Sequence, residues 1–215
     1  MESFEPSKKL SKLAAFCRNK YNKADLEQHN WEHIVRNIYR AEKIAETQEN
    51  VDMNSLYAAV MLHDIGVTEG KYEKHDENSR KIAEEKLPEL DFFKEETEKV
   101  IDILEEFAGP KEINSIEAKI LSDADKLEKS SLASIGNFFK VHLEWQKDPK
   151  KAVRDLSRYR KWKDEGFHTE KAREINKNGI QERIEFLEEF RDRLEEREDF
   201  QACEEDLCLE IDDEK

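Results

Sequence analysis

Apolar residues recur along most of this chain at intervals of three and four, and no alternating apolar and polar stretch persists. From Trp31 to Ala45 the apolar positions are 31, 34, 35, 38, 41 and 45, the stripe of an amphipathic helix. The same reading predicts helices over 6–22, 30–48, 52–64, 73–86, 91–107, 114–128, 131–146, 150–163 and 169–197. Asp52 to Ser55 reads as a helix start, and Gly66 and Gly70 as a stop and a tight loop. Pro88, Gly109-Pro110 and Gly166 punctuate later turns. One segment breaks the striped pattern: Ala58-Ala59-Val60-Met61-Leu62 is apolar throughout and runs directly into His63-Asp64.

Composition fits an all-α, single-domain multi-helix bundle. Of 215 residues, 41% are charged and only ten are glycine or proline (six and four), which favours helices. The length suits one domain with a sizeable core. We read residues 1–197 as that helical domain. Phe138, Phe139, Trp145, Tyr159, Trp162, Phe186 and Phe190 read as core, with a base-stacking pocket as the alternative for some of them. The stretch 147–168, rich in Lys and Arg, reads as a surface hairpin or a lid over an anionic substrate.

Charge narrows the partners. The formal net charge is −15, and residues 198–215 hold nine acidic residues against Lys215 alone, so this stretch carries −8 and the rest −7. The tail reads as a disordered or weakly helical appendage. A body of negative sign disfavours extended nucleic-acid binding, while small phosphorylated molecules stay open because a metal and a few local cations outweigh a distant field. Cys203 and Cys208 are five apart with only distant Cys17 besides, which disfavours a zinc site and leaves a disulfide open. No hydrophobic leader or long apolar span is seen, so the expected compartment is the cytoplasm and no membrane partner is expected. Oligomeric state is left open by the sequence.

The chemistry begins at His63-Asp64. An imidazole and a carboxylate behind an apolar run are costly to bury unless paired or ligated, and a divalent cation satisfies both. His33 borders the stripe of the 30–48 helix. Asp125 lies beside the apolar face formed by Ile120, Leu121, Ala124 and Leu127. Two imidazoles and two carboxylates can thus converge from three helices.

Taken in order, His33-x-x-Arg36, Leu62-His63-Asp64-Ile65-Gly66, Lys71-Tyr72 with His75, and Asp123-Ala124-Asp125-Lys126-Leu127 resemble the HD-domain superfamily of metal-dependent phosphohydrolases. The likeness covers roughly residues 25 to 190. Thr169, Ala172, Arg173, Arg183, Phe186 and Leu187 add a likeness to small stand-alone prokaryotic members, some of which act on nucleotides. The resemblance implies that His33, His63, Asp64 and Asp125 bind the metal. Asp123, two residues before Asp125 and about 200° away on a helix, is then a neighbour, either supporting a ligand or orienting water. A mixed nitrogen and oxygen site with open positions suits one Mn, Fe, Ni, Co or Mg ion better than a closed structural zinc. Such an ion lowers the pKa of bound water and polarises a phosphoryl oxygen, which is the chemistry of phosphoester or phosphoanhydride hydrolysis.

Arg36 shares a helix face with His33 and reads either as a phosphate clamp or as a partner of Glu32. Lys71 and His75 read as caps of the same pocket, with a solvated loop lysine as the alternative for Lys71. His29, four residues before His33, reads either as a capping or supporting residue or as a substrate contact. Three departures from the family pattern stand out. The helix holding Ile103 to Phe107 lacks the histidines of multi-metal relatives, Val67 stands where many relatives carry an acidic base, and Asn37 follows the His-x-x-Arg motif where Val is usual. The first favours one ion. The second leaves Asp123 or Glu69 as substitutes. The expected function is therefore a phosphohydrolase of a nucleotide or similar small phosphate. The alternatives are a non-catalytic metal- or nucleotide-binding HD regulatory module and an HD-type di-iron oxygenase, the last needing ligands the chain lacks.

Overall fold

The computed structural model describes residues 6–24, 26, 29–70, 74–109, 112–129, 136, 166–177, 185–186 and 188–189. Within them the chain is all-α, with no strand among the described residues. Six helices run in order: α1 (Lys8–Ala24), α2 (Trp31–Ala45), α3 (Met53–Leu62), α4 (His75–Glu89), α5 (Lys94–Ala108) and α6 (Ile116–Lys129). A 3-10 turn, Ile65–Glu69, links α3 to α4, and 170–177 is also helical. Apart from residue 136, the helix expected at 131–146 lies outside the described residues, as do the one at 150–163, the tail with its two cysteines and most of 178–197.

The all-apolar segment is explained by its place. α3 runs through the middle, touching α1, α2, α4, α5 and α6, and buries Leu56 and every residue from Ala58 to Leu62. A helix surrounded on all sides needs no polar face. The outer helices carry stripes instead: α1 turns Leu10, Leu13, Cys17 and Tyr21 inward, and α2 turns Ile34, Ala41, Ile44 and Ala45 inward. Burial pushes the Cys17 thiol up, so it behaves as a small apolar filler.

Pro88 does not sit in a turn. It falls inside the last turn of α4, which stops at Glu89, with Asp91 taking a left-handed φ of 69° just beyond. The ring removes one backbone donor where few helical bonds remain to be lost.

α3 starts where Asp52 caps it, its Oδ1 accepting from the backbone N–H groups of Asn54 and Ser55. The Ser55 hydroxyl and the Lys99 ammonium donate to Oδ2. Partial burial works against ionisation, yet these donors hold the carboxyl below its ordinary value. Asp52→Ala is expected to cost roughly 1–2 kcal/mol in urea unfolding at neutral pH. Because the folded pKa is the lower one, Asp52 stabilises the fold above about pH 4 and loses that effect as the pH falls through the folded value. The gap between wild type and variant should narrow on acidification.

Candidate metal centre

α3 ends one residue before the His-Asp pair, and this decides the site's geometry. On a continuing helix, neighbours diverge by about 100°. Here His63 is the α3 cap (φ −57°, ψ −38°) and Asp64 leaves the helix (φ −107°, ψ 4°), so both side chains reach one point. Ser79 of α4 pins this departure, its hydroxyl donating to the His63 carbonyl and accepting from the Gly66 N–H, both at 2.9 Å.

His33 from α2, His63 and Asp64 from the end of α3, and Asp125 from α6 come together there. One ligand atom from each lies within 4.8 Å of every other, and the four residues are only 1–3% exposed. Asp64 Oδ2 is 3.2 Å from His63 Nε2 and 3.4 Å from His33 Nε2. Asp125 Oδ1 is 3.8 and 3.6 Å from the same two nitrogens. His63 Nε2, Asp64 Oδ2 and Asp125 Oδ1 are buried with no hydrogen-bond partner. Orphaned buried atoms are costly, and here all three belong to the atoms that converge.

The surroundings turn the lone pairs inward. His63 Nδ1 lies 2.9 Å from the Val60 carbonyl, which can only accept, so this nitrogen carries the proton and Nε2 faces the cluster. Glu128 Oε2 lies 3.0 Å from His33 Nδ1 and imposes the same arrangement on His33. The other oxygen of Glu128 accepts from Arg36 Nε at 2.7 Å, and Asp125 Oδ2 from Lys129 Nζ at 2.6 Å. Three buried carboxylates face two basic side chains, which leaves the centre short of positive charge. Burial opposes protonation of His63, but Asp64 and Asp125 outweigh it and hold that imidazole up to about 10. Once the proton on His63 Nε2 leaves, two imidazoles and two carboxylates face inward as a donor set for a divalent cation. Phe107 of α5 stacks edge-on against His63, with ring centres 5.4 Å apart, and closes that side with an apolar wall.

The other candidates distribute as follows. His75, at the start of α4, lies 3.9 Å from Asp64 Oδ1 and 3.2 Å from Asp76 Oδ1. His29 precedes α2, with Nε2 3.8 Å from Asp64 Oδ2 and its ring edge-on to His33. Burial lowers its pKa to about 4 despite the neighbouring Asp64. The α2 cap is Asn30, which accepts from the His33 N–H, so His29 is no cap. Arg36 pairs with Glu128 and not with Glu32. Glu69 pairs with Lys20 at the surface, 2.5 Å away. Lys71 lies outside the described residues.

Asp123 is wholly buried on the far side of α6. Its Oδ1 accepts from the His168 N–H, and its Oδ2 from the N–H and hydroxyl of Thr169, at 2.7–2.8 Å. Thr169 Oγ1 in turn accepts from the Ala172 N–H, so Asp123 docks the start of the 170–177 helix, whose Ala172 enters the core. Asp123→Ala is expected to lower stability by about 2–3 kcal/mol in urea while divalent-cation binding measured by calorimetry stays as in wild type.

Glu128 is the functional side chain that sequence reasoning missed. It lies three residues after Asp125, on the same helix face, and that spacing was the available signal. Glu128→Gln is expected to weaken divalent-cation binding 10- to 100-fold by calorimetry, since it loosens control of the His33 tautomer.

A family model described as HD domain matches residues 30–130, the stretch that holds all four convergent residues. Residues 30–130 form an HD domain. HD domains bind divalent metals, and the His/Asp cluster of this HD domain could hold one. Similar solved structures include a predicted HD superfamily hydrolase from an uncultured Thermotogales bacterium, 24% identical, with a TM-score of 0.59 over 86% of this chain and 90% of that one. An HD-superfamily hydrolase from Bacillus thuringiensis is 23% identical, with a TM-score of 0.66 over 88% and 98% of the two chains. Bacillus subtilis YpgQ, in complex with ADP, is 20% identical, with a TM-score of 0.68 over 86% and 95%. These likenesses show a shared fold. No curated protein matches the chain. Among the described residues, no helix of this HD domain is long and apolar enough to cross a membrane.

Proposed function

We propose that this HD domain is a metal-dependent phosphohydrolase acting on a nucleotide or related small phosphorylated molecule. The observation that carries the reading is the convergence of three orphaned, buried donor atoms, on His63, Asp64 and Asp125, with His33 beside them. His33, His63, Asp64 and Asp125 would hold one Mn, Fe, Ni, Co or Mg ion. When bound, the ion supplies Lewis acidity towards a phosphoryl oxygen and activates water as a nucleophile. The protein's own part is orientation and charge. Glu128 and the Val60 carbonyl fix the two imidazoles, and Phe107 shields one wall. Arg36 spends its Nε on Glu128 and keeps a partly exposed guanidinium beside the centre for an anionic phosphate. His75, next to Asp64 and one-fifth exposed, is placed to meet the same substrate.

The nucleotide assignment is supported by YpgQ, a protein of the same fold crystallised with ADP. A second reading, a metal- or nucleotide-binding module without catalysis, is favoured by one observation: the two substitutes for the acidic residue replaced by Val67 are otherwise engaged, Asp123 with His168 and Thr169, Glu69 with Lys20.

Metal content of the purified protein, followed by a screen of nucleoside mono-, di- and triphosphates with added Mn, Co, Ni and Mg, tests the proposal. Phosphate or pyrophosphate release that needs the ion and stops with chelator is the expected result. Bound metal with no turnover across the panel selects the second reading, and a protein that binds no divalent cation overturns both.

A further inference from the structure

Asn37 stands one turn after His33 on α2, is fully buried, and occupies a position where Val is usual after the His-x-x-Arg motif. A buried amide needs partners for both its ends. Asn37 Nδ2 finds one, His33 Nε2 at 3.0 Å, while Oδ1 is buried with none. With its Nδ1 proton directed at Glu128, His33 offers one lone pair at Nε2, and the amide of Asn37 lies within hydrogen-bond distance of that nitrogen. That lone pair is also the one His33 would give to a cation. Anything arriving there must displace the amide or include it.

Displacement is hard, because the side chain is enclosed and a close-packed interior leaves no room for it to leave. A half-turn about the last side-chain torsion needs no new volume. It exchanges Nδ2 for Oδ1 and presents a carbonyl oxygen where the amide nitrogen was. Two ligands at right angles around an ion with bonds of about 2.1 Å stand about 3 Å apart, which is the separation between the Asn37 amide and His33 Nε2.

We propose that Asn37 is a fifth protein ligand, giving its amide oxygen to the divalent cation held by His33, His63, Asp64 and Asp125. The inference rests on the metal reading above and adds a hard oxygen donor to it. An amide oxygen suits ions that accept five or six nitrogen and oxygen ligands, such as Mn, better than tetrahedral zinc.

Calorimetric titration of Mn and Zn into wild type, Asn37→Val and Asn37→Asp tests it, with circular dichroism and thermal melts run on each. The expected result for Asn37→Val is Mn binding weakened at least about tenfold, with Zn affected less. Asn37→Asp keeps an oxygen donor and adds charge, so it is expected to bind Mn at least as tightly as wild type. Equal or tighter Mn binding by Asn37→Val overturns the proposal and leaves the four-residue centre standing. A changed melting temperature with unchanged affinities also overturns it, since that marks a packing role alone. If Asn37→Val fails to fold, weakened Mn binding by folded Asn37→Asp overturns it. Absence of Mn binding by wild type overturns both the proposal and the metal reading beneath it.

Discussion

Asp64→Ala is expected to weaken divalent-cation binding more than about 100-fold and metal-dependent turnover about a thousandfold while the helices stay folded. Asp64 Oδ2 is the hub of the cluster, within 3.2–3.8 Å of the Nε2 atoms of His63, His33 and His29. Side chains that only orient a ligand are worth 10- to 100-fold in metal affinity, so loss of a ligand should cost more than about 100-fold. Turnover should fall by about a thousandfold, because a metal contributes several kcal/mol of transition-state stabilisation and each factor of ten corresponds to about 1.4 kcal/mol. A ligand that binds only the folded state stabilises it by about 2.7 kcal/mol at a hundred times its Kd, so added Mn should raise the melting temperature of wild type and leave that of the variant unmoved. Asp64→Asn keeps the volume and an oxygen donor but loses the charge, and is expected to weaken cation binding less than the alanine variant while still falling below wild type. Full metal-dependent activity in either variant would remove Asp64 from the centre.

The architecture and the four convergent residues were legible early for a shared reason. Stripe periodicity locates helices, and burying an imidazole or carboxylate at the edge of a stripe needs a partner. The turn at His63 was harder to read. Periodicity carries the third helix to residue 64, whereas α3 stops at Leu62, because the stop is made by Ser79 bonding to the His63 carbonyl and the Gly66 N–H from the next helix. Asp123 and Asp125 show the same limit. Their divergence follows from the helical period, but the work of Asp123 depends on Thr169, 46 residues away. Glu128 reaches His33 across 95 residues, through the packing of α6 on α2, which no local pattern encodes.

Gly66→Ala is expected to be among the most disruptive single substitutions near the centre, and Gly70→Ala a mild one, although the two glycines stand four residues apart around the same 3-10 turn. Gly70 has φ 76° with nothing within 4 Å of where a Cβ would stand, so alanine there pays a backbone cost of about 1–2 kcal/mol and meets no neighbour. Gly66 has no such need for positive φ, and its restriction is space. A Cβ on Gly66 would lie 2.0 Å from the His75 carbonyl oxygen and 2.6 Å from the Ser79 backbone nitrogen. Both are backbone atoms of α4, and neither can turn aside as a side-chain tip would. The turn must therefore move off α4, breaking the Ser79 bonds that hold Gly66 and His63. Overpacking of this kind costs typically 1–3 kcal/mol, and with two backbone collisions about 3 kcal/mol or more is expected in urea unfolding. The same displacement shifts His63 and Asp64 relative to His33 and Asp125, so folded Gly66→Ala should bind divalent cations at least about tenfold more weakly. A Gly66→Ala protein with the stability and cation affinity of wild type would show that the turn is not held against α4 by this contact.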